Sequence, residues 1–287
     1  MSVSKDIDAS GRKIRYLHDL EDGITVLVMT PNNGQKPWNP SCVWGIPGII
    51  WGSPGIGKTY RVEAVGLGLG MRTESVIPAT RQPEDVAGAA FLDGQGGLRI
   101  ASLLHGVRRL FEDKQGILFI DELSCARPAV QAAFLGVPLE RRVGEDRLPP
   151  GVRVIAAANP PNEAAGGWDL EPPMANRFVH LYSPPPDGEA WVDWLMNEKD
   201  VAINNIEDGE ATIRAGWQNA FSRAKGLVAG FHKKTGYSHI FAMPKEGSAD
   251  RGRAWASPRT WEMLCRLFAT CHILGKGNVL GPMLHGC

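Results

Sequence analysis

From Gly48 onward the chain alternates short apolar runs with longer stretches whose apolar positions recur at helical spacing. The runs are Gly48-Ile49-Ile50-Trp51, Glu74–Ile77, Ile117–Ile120, Val152–Ala158 and Phe178–Tyr182. They lack the strict apolar–polar alternation of a half-solvated strand, so they predict a parallel sheet covered on both faces. The intervening stretches Lys58–Leu69, Leu98–Phe111 and Ala129–Gly136 predict the covering helices. Strands and helices in alternation predict an α/β domain. Ser183-Pro184-Pro185-Pro186-Asp187-Gly188 breaks the pattern and marks a linker. Beyond it the periodicity predicts helices over Glu189–Glu198, Ala211–His232 and Pro258–Leu274, with Asp187 or Gly188 as a cap for the first. Trp191 and Trp194 are expected in the core of this small helical domain. The last dozen residues are glycine-rich and predict loose order. Upstream, Gly23–Met29 reads as a strand and Pro31-Asn32-Asn33-Gly34 as a turn. The expected divisions are an N-terminal segment over 1–45 of open role, an α/β core over 46–184 and a helical domain over 185–287.

Composition narrows the class. The 287 residues suit one core of ordinary size plus an appendage, and 43% hydrophobic with 22% charged residues is globular. The net charge is zero, so no global field draws the chain to nucleic acid or to a membrane. Cys42, Cys125, Cys265, Cys271 and Cys287 show no CxxC spacing, which argues against a zinc or disulfide framework and for reduced thiols in a cytosol. The start is polar, without a signal-peptide core, and no apolar run approaches bilayer-spanning length.

The candidate chemistry begins at Gly52-Ser53-Pro54-Gly55-Ile56-Gly57-Lys58-Thr59. This loop follows an apolar strand and precedes a helix-compatible stretch, the setting that makes it a phosphate-binding loop. Three glycines let the backbone fold back so that successive N–H groups face phosphate oxygens, and the helix dipole adds to them. Lys58 is placed to reach the β- and γ-phosphates, and the Thr59 hydroxyl to ligate Mg²⁺.

Four further elements gain meaning beside that loop. Ile117-Leu118-Phe119-Ile120-Asp121-Glu122 is a buried strand ending in two carboxylates, at the end of an α/β sheet where ligands bind. Asp121 is the candidate Mg²⁺ ligand, and Glu122 the candidate group that orients or deprotonates an attacking water. Asn159 ends the apolar run at Ile155–Ala158, either as a water-orienting amide or as the opener of an Asn-Pro turn. Arg177, in Asn176-Arg177-Phe178, is either a surface charge or a finger donated to a neighbouring subunit. Arg259 follows a proline that starts a helix, in the first turn facing back from the helical domain toward the nucleotide.

Order and spacing of these five elements resemble AAA+ ATPases over roughly residues 40–275. The matches are Walker A at Gly52–Thr59, Walker B at Ile117–Glu122, sensor one at Asn159, the arginine finger at Arg177 and sensor two at Arg259. The chain is more closely similar to the MoxR-type branch and its relatives with an Asn-Arg-Phe finger, through Arg81-Gln82-Pro83-Glu84-Asp85-Val86-Ala87-Gly88, the segment Glu140–Pro149 and Asn176-Arg177-Phe178. The resemblance implies an AAA+ core with a parallel sheet flanked by helices, a helical lid, ATP and Mg²⁺ as cofactors, and a hexameric ring. It implies two hairpins at the ring's centre or upper face, for which Phe91–Leu98 and Val143–Leu148 are the matching segments. It also implies a partner with a von Willebrand factor A domain. Two departures stand out: the insertion carrying the first hairpin is short, and the N-terminal region reads as strand where a helix is usual.

The leading functional reading is a cytoplasmic, chaperone-like remodelling ATPase that gives ADP and phosphate and acts on a protein. A McrB-like nucleic-acid motor is the second reading, served by Arg141, Arg142 and Arg147. Glu140, Glu145 and Asp146 interleave with those arginines, so no clean phosphate track forms. A nucleotide-gated scaffold is a third, against which Glu122 argues. A small-molecule kinase fits less well, because Asp121-Glu122 and the two arginines point to water as nucleophile.

Overall fold

A computed structural model describes residues 19–32, 36–39, 41–92, 94, 97–102, 104–160, 163, 167–185, 187–196, 205–246 and 248–285. Several expectations lie outside the described residues: the start of the chain, Asn33-Gly34, Asp93, Gln95 and Gly96 of the first hairpin's turn, Pro186, Asn197-Glu198, the side chain of Trp194, and Gly286-Cys287.

In chain order the elements are α1 (Leu20–Met29), β1 (Pro31–Asn32), β2 (Val43–Trp44), β3 (Gly48–Trp51), α2 (Lys58–Gly68), β4 (Thr73–Val76), α3 (Pro83–Ala87), β5 (Ala89–Leu92) and β6 (Leu98–Ala101). There follow α4 (His105–Asp113), β7 (Gln115–Ile120), α5 (Pro128–Phe134), β8 (Arg142–Val143), β9 (Asp146–Arg147), β10 (Gly151–Ala158), α6 (Pro172–Ala175) and β11 (Val179–Tyr182). The C-terminal part holds α7 (Gly188–Met196), α8 (Ile206–Lys234), α9 (Pro258–Leu274) and α10 (Leu280–His285).

Five strands form one parallel sheet in the order β11-β3-β10-β7-β4. Ile117 and Phe119 of β7 join one core cluster, Leu118 and Ile120 the other. Successive strand residues face opposite sides, so an unbroken apolar run is what a sheet covered twice requires. The register aligns Trp51 with Ala158 and Tyr182, and Ile120 with Ala156. Gly52, Asn159 and Asp121 therefore leave the same edge of the sheet, with β10 between the strands that carry the loop and the carboxylates.

Five expectations change. Pro31-Asn32, read as the start of a turn, is strand β1, because it extends from the end of α1 alongside Val43–Trp44. Gly23–Met29 is not a strand but most of α1: its β-branched residues suggested a strand, yet a short apolar run reads the same for a buried helix. Leu20, Ile24 and Leu27 are fully buried among α2, α8 and α9, and Thr30 ends the helix with its hydroxyl on Thr270 of α9 (3.0 Å). Leu98–Phe111 divides into β6, which pairs with β5, and α4. Trp191 is half exposed instead of core. The C-terminal residues described, up to His285, are ordered: Val279 and Met283 are buried, and α10 returns to pack on β11 and α9.

The helical lid is built on α8 and α9, which pack along each other. Its junction with the sheet is a buried ion pair. Arg153 of β10 is wholly buried; it donates to Val28 O (3.2 Å), to Gly151 O and to Glu210 Oε1 of α8 (2.6 Å). Burial lowers the Arg153 pKa and Glu210 opposes that shift. Glu210→Ala would strand this cation, and a loss of about 3 kcal/mol in unfolding free energy is expected, read from the urea midpoint. Replacing both partners with packed apolar residues should cost much less.

Candidate nucleotide site

The loop after β3 turns on Gly55 (φ +80°) and Gly57 (φ +84°), left-handed positions that strain any other residue. Lys58 then starts α2 and is only 8% exposed. Its ammonium donates to Gly52 O (2.7 Å), Ser53 O (3.0 Å) and Asn159 Oδ1 (2.8 Å). Burial lowers its pKa, while Asp121 and Glu122 act in the opposite sense. The Thr59 hydroxyl donates to Asp121 Oδ2 at 2.8 Å. Asp121 Oδ1 accepts the backbone N–H of Glu122 at 2.9 Å. Glu122 is exposed and left-handed (φ +54°), which costs about 1–2 kcal/mol outside glycine. The following turn holds it there: Glu122 O accepts from Cys125 N–H (2.9 Å) and Leu123 is fully buried.

Ser124 clamps the exits of β7 and β10 together. Its hydroxyl donates to Asn159 O (3.2 Å) and accepts Asn159 N–H (3.1 Å). Beneath the loop, Trp51 Nε1 donates to His180 Nδ1 (2.9 Å), and the rings stack at 5.9 Å. The other ring nitrogen of His180, protonated in this arrangement, donates to Ala175 O (2.9 Å). From the segment before α9, Arg253 lies over the Trp51 ring at 5.4 Å. Burial pushes the His180 pKa down to about 4.

A second group lies around Asn176. Arg177 Nη1 donates to Leu135 O (2.6 Å) and to Glu140 Oε2 (2.6 Å). Arg259 Nη1 donates to Asn176 O (3.4 Å) and Asn176 Oδ1 (3.1 Å), and the same Oδ1 accepts from Ser257 Oγ (3.1 Å). Burial lowers the Arg259 pKa, and Arg177 nearby lowers it further. A cleft of about 390 Å³ opens here, lined by Asn176, Arg251, Trp255 and Arg259 among others.

The sequence-derived residues thus fall into two sets. Lys58, Thr59, Asp121 and Asn159 meet by direct hydrogen bonds, with Glu122 next to Asp121 and Gly52–Gly57 forming the loop. Arg177 and Arg259 make no hydrogen bond to that loop; Arg259 is held by Asn176, and Arg177 by Leu135 O and Glu140. Arg141, read as a possible phosphate contact, is 1% exposed and donates to Pro149 O (2.8 Å) and Val152 O (2.6 Å). It braces the base of the β8–β9 hairpin, so it is not available to a nucleic acid. Ser124, His180, Glu140 and Asn176 were not singled out as site residues. A lone histidine inside an apolar strand was the one available signal for His180; nothing local marks Ser124.

Among the described residues no three His, Cys, Asp or Glu side chains converge on a metal position. The Thr59–Asp121 oxygen pair suits a hard cation that takes its remaining ligands from phosphate and water, as Mg²⁺ does. Lys58 and the loop suit the phosphates themselves.

No family model matches the sequence, and no curated protein matches it. In the solved structures, 796 chains match. One is the 2.00 Å crystal structure of a "putative ATPase" from Cytophaga hutchinsonii, 14% identical, covering 93% of this chain and 78% of that one, with a TM-score of 0.53. The likeness shows the fold. It is a parallel α/β sheet flanked by helices, followed by a helical C-terminal part.

His180 gives a pH signature. The folded protein holds it neutral down to about pH 4, whereas the unfolded chain takes up a proton below about 6.5. Folding stability therefore falls as pH falls through that window, by roughly 1–2 kcal/mol between pH 7 and 5 from this group. Urea titrations at the two pH values should show that loss in the native protein and a smaller one in His180→Phe.

Proposed function

We propose that this chain is a Mg²⁺-dependent AAA+ ATPase of the MoxR type, working as an oligomeric ring, most simply a hexamer, on a protein partner. The observation that carries this reading is the pair of contacts Lys58–Asn159 and Thr59–Asp121, which join the loop, the carboxylate strand and the central strand at one sheet edge. Bound Mg²⁺ and ATP would supply the electrophilic phosphorus and part of the charge compensation. Lys58 would exchange its carbonyl acceptors for phosphate oxygens. Asp121 and Thr59 would hold the cation. Glu122, exposed beside Asp121, orients the water and takes its proton. Asn159, fixed by Ser124, holds its amide at the phosphate end of the loop.

Arg177 belongs to a different surface group, which suits delivery to a neighbour's nucleotide rather than its own. Arg259, held by Asn176, moves with that group. Both hairpins of the resemblance are built, as β5–β6 and β8–β9, and offer a place for partner contact. A von Willebrand factor A domain protein remains the proposed partner class. No helix among the described residues is long and apolar enough to cross a membrane. Cys42, Cys265 and Cys271 are buried with raised pKa values, thiols suited to the reducing cytoplasm we propose.

ATP hydrolysis should rise more steeply than linearly with protein concentration. Glu122→Gln should lose at least about 100-fold in turnover while still binding nucleotide, and Arg177→Ala about 1,000-fold or more. Phosphate release measured across a dilution series decides this; linear kinetics with an active Arg177→Ala would contradict the shared site.

A further inference from the structure

Arg177 is not held out as a free finger. Its Nη1 is committed to Leu135 O and Glu140 Oε2, and its Nε is buried without a partner. The arginine side chain is 15% exposed and the glutamate 49%. Two guanidinium groups share this corner, because Arg259 sits on Asn176, the residue before Arg177. Among the described residues, Glu140 is the one acid in an ion pair with either of them. Glu171 lines the adjoining cleft without pairing with them, while Arg251 Nε and Trp255 Nε1 are buried there unpartnered. The corner is short of one negative charge.

The backbone beside Glu140 is fixed. The next residue, Arg141, is locked in the core by Pro149 O and Val152 O, with a left-handed backbone (φ +56°). An outward swing of Arg177 must break its contact with Glu140 rather than carry the carboxylate along.

We propose that Glu140 is the resident counter-ion of Arg177, and that a phosphate oxyanion presented by a second copy of this chain replaces it. The proposal rests on the shared-site reading above and adds its control. Glu140 is a resting-state partner outside the reaction itself: it keeps the finger charge-compensated until a neighbour's nucleotide supplies a stronger anion. A partly exposed ion pair of this kind is broken at a cost that shifts the assembly equilibrium by about fivefold at most. Glu140 lies at the foot of the β8–β9 hairpin, so the exchange is felt where Arg142 begins that hairpin.

The test uses the full chain and ATP, with phosphate release followed against protein concentration. Glu140→Gln keeps an oxygen that can accept from Nη1 and removes the charge. It should lower the half-activating concentration by about two- to fivefold, with the maximal rate within about twofold of the native one. Glu140→Ala should lower that concentration as well, which guards against an uninformative single variant. A purely structural glutamate predicts loss in both variants, so the direction of change is diagnostic. Half-activating concentrations unchanged or raised in both variants, at native melting temperatures, overturn the proposal. If Arg177→Ala is inactive in that case, only the exchange fails and the shared site stands. If Arg177→Ala keeps full activity, the shared site fails and the exchange falls with it.

Discussion

An ammonium group can be buried only if each of its donors finds an acceptor, and Lys58 has three: Gly52 O, Ser53 O and Asn159 Oδ1. Two come from the loop's own backbone and one from the strand between the loop and the carboxylates. That arrangement requires the sheet order β3-β10-β7 and the register that ends β3 and β10 together. Shifting β10 by one residue would turn Asn159 away and exchange the residues of Val152–Ala158 between the two cores that cover the sheet. The glycine turns, the buried apolar strands and the Ser124 clamp all serve the placement of this one charge. In the nucleotide reading, phosphate oxygens take over from the carbonyls, and the desolvated ammonium gains by the exchange.

The second cation group obeys a different constraint. Arg259 is anchored on Asn176 Oδ1, to which Ser257 Oγ also donates, and Arg177, the next residue after Asn176, is anchored on Leu135 O and Glu140. They therefore move with the core–lid junction and not with the loop. Ala175 connects the two regions, since its carbonyl holds His180, and His180 holds Trp51 just ahead of Gly52. Two hydrogen bonds through a buried neutral imidazole thus link the loop to the segment that carries Arg177. Arg153 and Glu210 fasten α8 to the central strand, giving the lid one fixed end.

Much of this was legible in the sequence because it depends on local rules. The five apolar runs became the five strands within a residue or two at each end, and Pro258–Leu274 is a helix over the residues expected. Its Ser257 cap and the proline at its first position are short-range signals. Gly23–Met29 was misread because β-branched residues in a short run favour a strand until tertiary burial decides otherwise. The end of the chain differs from its reading because glycine content says nothing about Val279 and Met283 joining the core cluster that holds Val179 and Leu181 of β11. Within the site, motif residues carry their own pattern, so Lys58, Thr59, Asp121 and Asn159 were found. Ser124, Glu140 and His180 act through partners 35, 37 and 129 positions away, a separation that no local pattern encodes.

Nucleotide affinity is the most direct measure of the central claim. Titrating a fluorescent ATP analogue with and without Mg²⁺ should give saturable binding that Mg²⁺ strengthens and that Lys58→Ala abolishes, with the fold intact by circular dichroism. Binding that is absent in the native chain, or unchanged in folded Lys58→Ala, would contradict it.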